Sequence, residues 1–106
     1  MTEYNKLVRD RIPEIIWQDK LQCDITTLSE DEFRQALLVK LQEEAKEVAE
    51  ANPADLIAEL ADLNEVIDTI MVTHQINPEA VRKMQTRRRE ERGGFTKRIC
   101  LLRTYP

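Results

Sequence analysis

Two pairs of acids are spaced alike along this chain: Glu44-x-x-Glu47 and Glu59-x-x-Asp62. A helix turns by about 100° per residue, so their positions can be read against the apolar pattern around them. Over residues 30–51, Phe33, Leu37, Leu41, Ala45 and Val48 form one stripe; Glu44 falls inside it and Glu47 on its edge. In the stretch ELADLNEVI, Glu59 falls among Leu56, Leu60, Leu63 and Ile67, with Asp62 on the edge. Glu43, Glu50, Glu65 and Asp68 point elsewhere. Like charges cannot neutralise one another, and gathered carboxylates without a counter-charge are driven to hold protons. A divalent cation removes that penalty, and all-oxygen donors favour Mg²⁺ or Mn²⁺ over zinc. Glu44, Glu47, Glu59 and Asp62 are therefore the candidate metal ligands. Spacing alone equally allows solvated acids neutralised by a neighbouring Lys or Arg.

Carboxylate-held metal beside basic side chains suits phosphoryl chemistry, in which the protein supplies no covalent nucleophile. The chain has no Ser-His-Asp arrangement, no persuasive Cys-His pair and no glycine-rich phosphate loop. Candidate phosphate ligands are Lys83, Arg87, Arg88 and Arg89 in the run RKMQTRRREER, and Lys6, Arg9 and Arg11 near the start. Arginine can grip phosphate through two donors, which makes the Arg-Asp-Arg segment attractive. Most of these bases would otherwise serve solubility.

The elements that must position these groups are helical. Leu, Ala, Glu, Lys, Arg and Gln dominate, and only two glycines and four prolines interrupt them. Pro13 suits the first turn of a helix over about 13–20. Ser29 and Glu32 form a capping box opening a helix that runs to about Ala51. Asn52-Pro53 opens a second long helix ending near His74, and Asn77-Pro78 a third that stops at Gly93-Gly94. Residues 22–27 and the tail FTKRICLLRT suggest short strands that pair with each other. The two long helices should fold back as an antiparallel hairpin, bringing the acid pairs opposite one another. The fold class is mainly α, one domain over residues 1–106. A hairpin and one added helix leave apolar surface uncovered, so a homo-oligomer, at least a dimer, should complete the helical bundle.

Composition excludes several classes. With 106 residues, 42% apolar and 34% charged, the chain reads as a soluble globular domain. A net charge of −4 gives it no reason to coat nucleic acid, and one basic helix without interleaved aromatics is weak support for such binding. The sign is nonetheless uneven: residues 43–68 hold nine acids and one base, Lys46, whereas residues 82–92 hold six bases and two acids. Cys23 and Cys100 are too few for a disulfide framework and read as reduced thiols. The N-terminus lacks a signal-peptide core and no run would span a bilayer, which suggests the cytoplasm. His74 falls on the apolar face of its helix and reads as a capping or core residue before a ligand. Trp17 reads first as a core or interface residue, and second as a platform for a base.

With YNKLVRDRIPEII, ELADLNEVI and RGGFTKRI in order around the acid pairs, the chain resembles the MazG-like superfamily of all-α nucleoside triphosphate pyrophosphohydrolases. Within it, the resemblance is to the phosphoribosyl-ATP pyrophosphohydrolase-like subgroup, nearly end to end. That resemblance implies hydrolysis between the α and β phosphates, giving a nucleoside monophosphate and pyrophosphate. It implies Mg²⁺ held by Glu44, Glu47, Glu59 and Asp62, one of them orienting or deprotonating water. Glu43 completes the family's Glu-Glu-x-x-Glu form and is a candidate for supporting the ligands from behind. Lys83 and the bases after it match a region where relatives place phosphate-binding side chains. Two alternatives stand beside a nucleoside triphosphate substrate: hydrolysis of phosphoribosyl-ATP itself, and a non-catalytic helical nucleotide-binding or adaptor protein.

Overall fold

The computed structural model describes residues 1–2 and 4–106. Among the described residues four α-helices follow one another: α1 (Ile12–Gln18), α2 (Glu30–Glu50), α3 (Leu56–Thr73) and α4 (Pro78–Arg92). Each boundary has a local cause. Pro13 occupies the first turn of α1, which stops short of its expected end because Lys20 turns into the left-handed region at φ 64°. The capping box of α2 is complete: the Glu32 N–H donates to Ser29 Oγ at 3.2 Å, and the Ser29 N–H donates to Glu32 Oε1 at 3.0 Å. Glu30, Asp31 and Glu32 place negative charge on the first turn, where the helix dipole favours it.

The break between the long helices departs from the expected one. Asn52 makes no side-chain cap; it leads into a 3₁₀ turn over Pro53–Asp55, closed by the Asp55 N–H on the Asn52 carbonyl at 2.9 Å. Asn77 does cap α4, its Oδ1 accepting from the Glu79 N–H at 2.9 Å. Gly93 then ends α4 at φ 81°, a conformation that would strain a side chain.

Helices α2 and α3 pack together as the antiparallel hairpin. Leu37, 3% exposed, and Val66, 7% exposed, are its most buried apolar side chains. Phe33, Leu41 and Val48 support Leu37 from the same side of α2, as the stripe suggests, although Ala45 is exposed. On α3 the buried face is rotated from the one the sequence favours. Leu63, Val66 and Ile70 turn inward, while Leu56, Leu60 and Ile67 remain open. This helix is apolar on two sides, so pattern alone does not choose between them; packing against α2 does.

Two expectations fail. No strand forms among the described residues: residues 22–27 and the tail are irregular, and the tail is exposed throughout. A strand needs a ladder partner for its backbone groups, and neither segment supplies one to the other. The third long helix adds no buried surface, since every residue of α4 is exposed.

With so few buried side chains, the hairpin contact dominates stability. Leu37→Ala should therefore cost about 2–5 kcal/mol, seen as a lowered urea midpoint with the fold otherwise retained.

Candidate metal centre

The hairpin brings Glu44 of α2 against Glu59 and Asp62 of α3. Each offers one carboxylate oxygen, and the three lie within 4.8 Å of one another. The reason is geometric. Residues 59, 62, 63 and 66 share one face of α3, so the acids extend the same inward line that Leu63 and Val66 begin. Glu44 lies seven residues beyond Leu37, two turns along the inward face of α2, and its side chain is only 12% exposed. Glu47, one turn further, is exposed and outside this trio, yet its charge acts on Glu59.

Glu59 bears the strain of the arrangement. Desolvation pushes its pKa up, and the charges of Glu47, Asp62, Glu44 and Asp55 push in the same direction. Cations partly relieve its neighbours. The Arg9 guanidinium reaches from before α1 to Asp62, Nη2 to Oδ1 at 2.8 Å. Lys40 Nζ lies 3.6 Å from both Glu43 and Glu44, and its side chain is only 18% exposed. Lys6 Nζ lies 3.4 Å from Glu43. Among the described residues, no salt bridge reaches Glu59 or Glu47.

This donor set fits a hard divalent cation: three carboxylate oxygens converge, and the surplus negative charge on Glu59 is what such an ion would offset. The sequence reading thus finds three of its four acids together and Glu47 beside them. Glu43, expected to point away, is half-buried and tied to Lys6 and Lys40 at the rim of the cluster. Arg11 is turned to its own helix, pairing with Glu14 at 3.1 Å. On α4, Arg87 pairs with Glu91 at 2.9 Å, and Lys83 is exposed with the rest of that helix. His74 ends α3 in the open, and Trp17 is also exposed. Cys23 and Cys100 are free thiols. Lys40 was missed, although its signal was available: Lys40-x-x-Glu43-Glu44 is the spacing at which a lysine reaches both acids.

A helical hairpin lining up carboxylates in this way is the frame of the MazG-like all-α pyrophosphohydrolases. The chain belongs to the phosphoribosyl-ATP pyrophosphohydrolase family, whose model matches residues 1–89. The match spans the N-terminal arm, the hairpin and α4 through Arg89, and ends before RGGFTKRI. An uncharacterized protein of Mycolicibacterium smegmatis (strain ATCC 700084 / mc(2)155) is 46% identical over 54 residues, 51% of this chain. That stretch covers 55% of the relative, so the likeness spans only about half of each protein. No solved structure matches. No helix among the described residues is long and apolar enough to cross a membrane.

Because the fold raises the Glu59 pKa, it favours the protonated acid. The stability that preference gives is present at low pH and is lost as pH rises through the raised value. Metal-free Glu59→Gln should accordingly melt higher than wild type at neutral pH and lack this decline, read by thermal melts between about pH 4 and pH 8.

Proposed function

We propose that this chain is a Mg²⁺-dependent nucleotide pyrophosphohydrolase of the cytoplasm, cleaving a nucleoside triphosphate between its α and β phosphates. The products are a nucleoside monophosphate and pyrophosphate. The observation that carries this reading is the convergence of Glu44, Glu59 and Asp62 across the hairpin, within a family of pyrophosphohydrolases. In it, Glu44, Glu59 and Asp62 hold the metal and Glu47 completes the set from the exposed edge. Bound there, Mg²⁺ or Mn²⁺ would supply charge neutralisation at the phosphate oxygens and a more acidic water. Glu59, with the least compensated charge, orients that water or accepts its proton. Glu43 keeps Lys6 and Lys40 in place behind the ligands. Lys6 and Arg9, already at the rim, take the phosphates, and Arg11 adds positive potential beside them.

The family description favours a second substrate, phosphoribosyl-ATP, whose hydrolysis breaks the same kind of bond. Both reactions release pyrophosphate and differ only in what is attached to the α phosphate. A panel of standard and modified nucleoside triphosphates together with phosphoribosyl-ATP, assayed with Mg²⁺ for monophosphate and pyrophosphate, separates them. Glu59→Gln or Glu44→Gln should lower turnover by at least about 100-fold, given that even groups supporting metal ligands are worth 10–100-fold. Metal binding without turnover of any substrate would favour a nucleotide-binding or adaptor role instead.

The working form is a homo-oligomer. The Cα radius of gyration is 18.6 Å over extents of 63 × 34 × 25 Å, against about 13 Å for a compact chain of this length. Leu56, Leu60 and Ile67 form an uncovered outer face on α3, and Phe95, Ile99, Leu101 and Leu102 are open in the tail. A second copy would cover these surfaces and would bring the basic residues Lys83 and Arg87 of α4 towards an acidic hairpin. Light scattering after gel filtration should give at least twice the 12.4 kDa chain mass.

A further inference from the structure

The cations around the acid cluster are not equivalent. Lys40 is largely buried on α2, midway between Glu43 and Glu44, and is held by the helix that carries both. Lys6 pairs with Glu43, outside the converging trio. Arg9 alone, among the described residues, comes from outside the hairpin to pair with a carboxylate of the trio. Its backbone is fixed, because the Arg9 carbonyl accepts the Ile12 N–H at 3.1 Å at the start of α1. Its side chain is free, with 57% of it exposed and one of its donors engaged on Asp62. Such a group can change partner by turning its side chain, with no change in the fold.

Resting on the pyrophosphohydrolase reading, the geometry points to Arg9 as an exchanging counter-ion. It neutralises Asp62 while the cluster lacks metal, and passes to a phosphate of the substrate once a divalent cation takes that carboxylate. Three physical terms drive the exchange. Asp62 cannot give its charge fully to both partners. A dication beside the guanidinium repels it. A phosphate anion at the rim then offers a better partner, because guanidinium and phosphate form charge-assisted, two-pronged hydrogen bonds. No covalent bond forms or breaks and no proton moves: Asp62 would exchange its hydrogen bond from Arg9 for the ion, and Arg9 would hydrogen-bond the phosphate instead. The consequence is a coupling of order: Arg9 opposes metal binding in the empty protein and favours phosphate in the loaded one. Arg9 therefore restrains the vacant cluster, as any ion pair on Asp62 would, and also positions substrate, which a purely structural pair would not.

The test uses opposite signs at one residue. Mn²⁺ binding to the full chain without nucleotide is measured by calorimetry for wild type, Arg9→Gln, Arg9→Lys and Arg11→Gln. Binding of inorganic pyrophosphate in saturating Mn²⁺ follows for each. Arg9→Gln should bind Mn²⁺ about three- to fivefold tighter, as expected for release from a half-exposed ion pair. The same variant should bind pyrophosphate about tenfold or more weakly, the loss of a charge-assisted contact. Arg11→Gln removes equal charge from the nearby arginine that pairs with Glu14, and should change Mn²⁺ affinity much less than Arg9→Gln does. Arg9→Lys keeps the charge and should hold Mn²⁺ affinity near wild type while recovering part of the pyrophosphate binding. Arg9→Gln that binds Mn²⁺ no tighter than Arg11→Gln, or binds pyrophosphate as wild type does, overturns the exchange while leaving wild-type turnover untouched. Failure of wild type to bind Mn²⁺ at all would overturn both the exchange and the metal-dependent reaction.

Discussion

The repulsion among carboxylates inside the α2–α3 hairpin is the constraint on which the rest of the structure turns. A packed helix pair would ordinarily line its contact with apolar side chains. Here Leu37 and Val66 close one region of it, while Glu44, Glu59 and Asp62 occupy another. That choice costs stability, because desolvation and like charge both act against an ionised Glu59. The cost is tolerable because cations are arranged around the acids: Lys40 from within α2, Lys6 and Arg9 from the N-terminal arm. The arm before α1 thereby acquires a defined place, tied to the hairpin by charge across a large separation in sequence.

The same constraint links fold to chemistry. On the proposed reading a divalent ion would offset what the protein's own cations do not, since Glu59 stands outside every salt bridge among the described residues. That reading accords with membership of a pyrophosphohydrolase family, whose chemistry calls for positive charge at a phosphate anhydride. On the same reading, the base and sugar of the substrate need a surface of their own. Trp17 and the tail aromatics are exposed in the single chain, so the surfaces available for that purpose are open ones.

Much of this was legible in the residues. Helix boundaries follow from local chemistry: the reciprocal Ser29–Glu32 cap, the Asn77 cap before Pro78, and the glycine at which α4 stops. Glu44 and Glu59 were recognisable because an acid within an apolar stripe is conspicuous at helical period. The tail was misread for the opposite reason. Alternating apolar residues fit a strand in any context, but a strand exists only through hydrogen bonds to another, and that partner is a property of the assembled fold. The face of α3 was misjudged similarly, since Leu56, Leu60 and Ile67 are as apolar as the Leu63, Val66 and Ile70 face that is buried.

By itself, the sequence determined what depends on neighbours along the chain: helix content, most end points, and the identity of the acids that share an inward face. Short-range periodicity and capping are local, so a one-dimensional reading captures them. Only the tertiary structure decided which side of α3 meets α2, and that Glu43 is drawn to the rim by Lys6 and Lys40. It alone also separated Arg9, bound to Asp62, from Arg11, which pairs with Glu14 in the first turn of α1. The two arginines are chemically identical and separated in the chain only by Asp10. Their difference arises because charge pairing acts through space, and the space was set by the fold of the arm over the hairpin.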